Sequence, residues 1–98
     1  MNVQFQSVHF SADKKLVSFA QEKVTKLNTM HDKIISSEVI LRLENSDAKD
    51  NKVAEIKLNI PGKELFAKRQ CTTFEEAVDL SVDALKNQIA KYKGKLAR

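Results

Sequence analysis

Hydrophobic and polar residues alternate along "NVQFQSV". Val3 and Phe5 face one way and Asn2, Gln4 and Gln6 the other, which predicts a short strand with one buried face. "HFSADKK" ends that strand, and Ser11 or Asp13 can cap a helix. The period then changes. Leu16, Phe19, Ala20, Val24, Leu27 and Met30 recur at three- and four-residue steps, predicting a long first helix from about Asp13 to about His31. Alternation returns in "SSEVILRLEN", with Val39, Leu41 and Leu43 opposite Ile40, Arg42 and Glu44. "NSDAKDN", from Asn45 to Asn51, has the polar composition of a turn. In "VAEIKLNI", Ala54, Ile56, Leu58 and Ile60 alternate with Glu55, Lys57 and Asn59. Pro61-Gly62 marks a tight turn, and "KELFAKRQC" sets Leu65, Ala67 and Cys71 against Phe66, Lys68 and Gln70.

Thr73 followed by Glu76 reads as a capping box ahead of an apolar run. Phe74, Ala77, Val78, Val82, Leu85, Ile89 and Tyr92 form the stripe of a second helix, from about Phe74 to Lys93, where Gly94 weakens or ends it. A strand–helix–strand step calls for a right-handed crossover between parallel strands, and the short later turns call for antiparallel hairpins. Both helices must cover apolar sheet surface, most simply side by side on one face. The expected fold is α+β: a βαβββα two-layer sandwich with a four-stranded mixed sheet. Its other face is solvated, as Glu55, Lys57, Asn59, Lys68 and Gln70 suggest.

The chain's 98 residues suit one domain, residues 1–98, with no internal repeat or linker. Its single cysteine, Cys71, allows no internal disulfide. "MNVQFQSVHF" lacks the basic and apolar regions of a secretory signal, and no apolar run reaches the length of a membrane span. A cytoplasmic protein is expected.

The net charge of +4 gains meaning from its placement. On the first helix Lys15 and Lys26, joined by Lys33 if the helix reaches that far, fall within about 20° of one another at 100° per residue. Lys23 lies within the apolar arc, so its stem must be buried while its ammonium reaches out. On the second helix Lys86 and Lys93 share one flank, and Lys91 and Lys95 the other. Glu75, Glu76, Asp79 and Asp83 occupy the first half of that helix and every cation the second. This distribution complements the helix dipole. The dipole explains cations in the last turn, but not Lys86 or a basic stripe on the neighbouring helix. Two readings stand: a solvated face, or a lysine surface several turns long that takes phosphate as point charges and reads backbone and shape rather than sequence.

Other chemistry finds little support. His9 and His31 are far apart and without acidic or thiol neighbours at ligand spacing, so no metal site is expected. Cys71 reads as a small buried hydrophobe, Tyr92 as core with a wet hydroxyl, and Phe66 as an aromatic on the open sheet face. There is no phosphate-binding glycine loop and no nucleophile elbow. No catalytic residue, cofactor or small-molecule substrate is expected.

Three blocks together resemble the short form of the ribosome hibernation promoting factor family, which includes protein Y. The first is "LVSFAQEKVTKL", with Leu16, Phe19, Lys23, Lys26 and Leu27. The second is "VILRLEN" with "PGKELFAK". The third and most specific is "FEEAVDLSVDALKNQIAKYKGKL", where Ala77, Asp79, Asp83, Leu85, Gln88, Lys91, Lys93, Lys95 and Leu96 follow the family pattern. The resemblance covers essentially the whole chain. It implies a fold akin to a double-stranded RNA-binding domain with an extra leading strand. It also implies a ribosome-associated translation inhibitor, without catalysis, that sits in the messenger and transfer RNA channel of the small subunit and preserves idle ribosomes in starvation or stationary phase. Carried over by position, Lys23, Lys26, Lys86, Lys91, Lys93 and Lys95 are the implied contacts to ribosomal RNA. Asn87 stands where family members often have a basic residue, and Gly94 where a helix former is usual. The second domain of long-form members and the C-terminal extension of protein Y have no counterpart, so ribosome dimerisation by this chain alone is not expected, though a separate helper protein could supply it. A general duplex-RNA module, or a protein-interaction domain using a sheet edge, are the alternatives.

Overall fold

A computed structural model describes residues 2–44 and 49–96, the last two by backbone alone. Strand β1 (Asn2–Val8) leads into helix α1 (Lys14–Thr25), a 3₁₀ turn (Lys26–Thr29), strands β2 (Ser36–Leu43), β3 (Lys52–Ile60) and β4 (Lys63–Cys71), and helix α2 (Phe74–Leu96). The sheet order is β1-β2-β3-β4. β1 pairs in parallel with β2, while β2–β3 and β3–β4 are antiparallel. The expected βαβββα sandwich is the observed one. Most of the expected turn from Asn45 to Asn51 lies outside the described residues.

The core forms where the predicted apolar faces meet. Val39, Leu41, Ala54, Ile56, Leu58, Ile60, Leu65 and Ala67 point from the sheet toward Ala20, Val24, Leu27, Val78, Leu85 and Ile89. α2 packs on β3 and β4, while α1 lies beside α2 and over β1. β1 ends at His9, whose φ of 67° is rare for a residue with a Cβ. The reversal brings Phe10 onto Phe74, ring centroids 4.4 Å apart and nearly parallel, so both helices start from one stacked pair.

Two helix boundaries differ from the sequence expectation. α1 is α-helical only to Thr25, not to His31. The Thr29 hydroxyl donates to the Lys26 carbonyl at 2.7 Å, a local side-chain bond that competes with continuation of the α-helical ladder. The tighter 3₁₀ turn still buries Leu27, so the apolar spacing survives the change of helix type. Lys33 therefore lies beyond α1, in the turn before β2, and does not extend a stripe through Lys15 and Lys26. α2, conversely, passes through Gly94 to Leu96. Of the two candidate caps of α1 it is Asp13 that serves, its carboxylate accepting from the Leu16 amide at 2.8 Å. The Thr73 hydroxyl accepts from the Glu76 amide at 3.1 Å, one half of the expected capping box.

Candidate nucleic-acid interface

The two faces of the domain treat charge differently. On the open sheet face, cation and anion alternate across the strands. Arg42 and Lys68 flank Glu55, at 3.2 and 4.0 Å, and Lys57 lies between Glu38 and Glu64, at 3.8 and 4.0 Å. This face largely neutralises itself. Phe66 stands on it, 47% exposed. Among the described residues, the net positive charge therefore concentrates on the helix layer and its ends.

Within that layer the expected RNA contacts differ in setting. Lys23 buries its stem beside α2, its ammonium 2.9 Å from the Asp79 carboxylate and 5.6 Å from the Phe19 ring centroid. It bridges the helices as well as facing solvent. Asp79, Lys86 and Lys93 recur every seven residues and so share one flank of α2. The Lys23–Asp79 pair and a 2.7 Å hydrogen bond from Lys93 Nζ to the Met30 carbonyl turn that flank toward α1 and its exit. Lys86 sits between them, exposed, with Asp83 3.9 Å away one turn earlier. Lys26 is exposed at the start of the 3₁₀ turn. Lys91 is exposed on the opposite flank. Lys95 is in α2, but its side chain falls outside the described residues.

The helix layer thus carries a row (Lys23, Lys86, Lys93) along the groove between the helices, and Lys91 beyond its far rim. Asp79 and Asp83 interrupt the row. The expectation of one unbroken lysine surface is corrected to that extent: the macrodipole-favoured acids of α2 reach far enough to touch two of the cations. Exposed pairs of this kind contribute at most about 1 kcal/mol each, so phosphate can compete for these ammonium groups.

Two features escaped the sequence. Lys63 opens β4 and holds its ammonium 5.6 Å from the centroid of Tyr92, at the same end of the molecule as Lys93. The only sequence signal was its place just after the Pro61-Gly62 turn. Gln88, on the sheet-facing side of α2, donates to the Phe66 carbonyl at 2.8 Å, while Arg69 donates to the Lys68 carbonyl at 2.7 Å. Two alternate carbonyls of edge strand β4 are thereby taken by side chains, which blunts that edge against an added strand.

Cys71 is buried, and desolvation together with the neighbouring Glu76 carboxylate pushes its thiol pKa up, the opposite of what a nucleophile needs. Among the described residues no group of three or more His, Cys, Asp or Glu could hold a metal ion. No described helix is long and apolar enough to cross a membrane.

The model of the family described as Sigma 54 modulation protein / S30EA ribosomal protein matches residues 3–97. A Pseudomonas putida protein named ribosome hibernation promoting factor is 30% identical over 95 residues, spanning 97% of this chain and 89% of the relative. An Azotobacter vinelandii protein of the same name is 28% identical over 95 residues, spanning 97% and 85%. A ribosomal subunit interface protein from Coxiella burnetii superposes with a TM-score of 0.84 at 21% identity, covering 96% of this chain and 99% of that one. The N-terminal domain of Thermus thermophilus Protein Y gives 0.80 at 20%, covering 94% and 99%. At such identities the structural likeness speaks for the fold: one sheet, two helices and the same layering.

Proposed function

Since the chain belongs to the Sigma 54 modulation protein / S30EA ribosomal protein family, we propose that it is a ribosome hibernation factor. It binds the small ribosomal subunit through ribosomal RNA, occupies the channel used by messenger and transfer RNA, and so inhibits translation while preserving idle ribosomes. It acts by occupancy, with no catalytic step, as a single cytoplasmic, ribosome-associated domain.

The observation that carries this reading is the contrast between faces. The sheet neutralises its own charge, whereas Lys26, Lys86, Lys91 and Lys93 stand exposed on the helix layer. Lysines that face phosphate as point charges suit a backbone-reading role. Strand addition at the β4 edge is less favoured, because side chains already hold two of its carbonyls.

The test is pelleting with purified small subunits across a salt series. Each phosphate neutralised adds roughly 0.7–0.9 to the slope of log affinity against log salt. A steep slope supports the proposal. Salt-independent association, or none, rejects it. Displacement by free duplex RNA in excess would point instead to a general duplex-RNA module.

A further inference from the structure

The two poles of the helix layer each hold an aromatic pair, built differently. At the pole where both helices start, Phe10 and Phe74 are stacked at 4.4 Å with 13° between their planes. At the other pole, His31 and Tyr92 are 5.8 Å apart and tilted by 35°, and both are half-buried. Three separate segments converge there. His31 comes from the exit of the 3₁₀ turn, Lys63 from the β3–β4 hairpin, and Tyr92 and Lys93 from α2. The Lys63 ammonium lies 5.6 Å from the Tyr92 ring centroid. Lys93 is aimed by its 2.7 Å bond to the Met30 carbonyl, next in sequence to His31. The Lys33 amide donates to His31 Nδ1 at 3.1 Å, which ties the ring to the backbone of the following turn. The pole therefore combines a splayed, partly exposed aromatic surface with two cations held near it.

We propose that this pole is a one-nucleotide site. An unpaired RNA base stacks on the imidazole of His31 beside Tyr92, and the adjoining phosphate sits between Lys63 and Lys93. Stacking on an aromatic side chain tolerates any base, and lysine supplies charge without base preference. The site thus selects a flipped-out or bulged nucleotide, whatever its identity. The inference rests on the ribosome-binding reading and deepens it. The helix-layer lysines supply backbone affinity, and this pole supplies discrimination between perfect helices and helices with an unstacked base.

The experiment compares two short RNA hairpins of equal length and charge, one fully paired and one carrying a single bulged adenosine. Each is titrated at one salt concentration by fluorescence anisotropy, with the thermal midpoint of every variant recorded. The wild-type protein should prefer the bulged hairpin by on the order of ten-fold. His31→Ala should abolish the preference while leaving affinity for the paired hairpin unchanged, and His31→Phe should restore it. Lys63→Gln, at an exposed position, should weaken binding of the bulged hairpin more than of the paired one. Equal wild-type affinities overturn the proposal. So does an equal effect of His31→Ala on both hairpins, or a preference untouched by Lys63→Gln, which does not depend on how well His31→Ala folds. Pelleting the same proteins with small subunits separates the two readings. Salt-dependent pelleting without bulge preference removes only the pole site. Failure to pellet removes the ribosome reading and leaves the hairpin preference to be judged alone.

Discussion

The two glycines illustrate how one residue type serves opposite ends. Gly62 sits in the β3–β4 turn with φ of +76°, a conformation that a Cβ makes costly. Gly94 lies within α2, without a positive φ, and an added Cβ would meet nothing within 4 Å. Gly62→Ala should therefore destabilise the protein by about 1–2 kcal/mol, and Gly94→Ala should stabilise it by roughly 0.5–1 kcal/mol, less if the last turn frays. Thermal unfolding of the two variants checks both signs. Lys23 poses a different question, since its ammonium is shared between Asp79 and solvent. Asp79→Asn should lower stability by no more than about 1 kcal/mol and tighten binding to small subunits by freeing the cation. Lys23→Gln should weaken binding. A double-mutant cycle in which both changes alter stability alone would make Lys23 a strut and not a contact.

At the scale of elements, the strands were the most legible. Period-two alternation in β2 and β3 set Val39, Leu41, Ile56 and Leu58 toward the core, where all are buried. The cap residue Thr73 was equally plain, whereas Ser11 and Asp13 both offered a polar side chain ahead of α1 and only the packed turn selects Asp13. The end of α1 was not legible, because a 3₁₀ turn four residues long preserves nearly the same apolar spacing as an α-helix. What marks the change here is the Thr29 hydroxyl, bonded to the Lys26 carbonyl. The extension of α2 was hidden for the converse reason. A glycine near a helix end usually signals a stop, yet with no proline after it the backbone of α2 continues. Of the candidate interface, spacing on α2 identified the flank of Lys86 and Lys93. The pairing of Lys23 with Asp79 and the approach of Lys63 to Tyr92 depend on how elements pack, and no local pattern encodes that.

For the whole molecule, the arrangement separates stability from charge. The core is supplied by the facing sides of sheet and helices, while Lys86 and Lys91 stand outside it. Replacing Lys86, Lys91 and Lys93 together by Gln should lower the salt slope of subunit binding by about 2–3, with a thermal midpoint shifted by only a few degrees through the lost Met30 cap. An unchanged slope with a large drop in midpoint would identify these lysines as structural. Lys93 has a particular standing among them. An ammonium carries three hydrogens, and the bond to Met30 uses one. Immobilising a lysine ordinarily costs up to about 2 kcal/mol of rotamer freedom, and in this side chain much of that loss has already accompanied folding. The two remaining hydrogens are offered from an arm that is already braced, so a clasp that serves the domain's architecture would also make its tip a readier hand for the proposed phosphate.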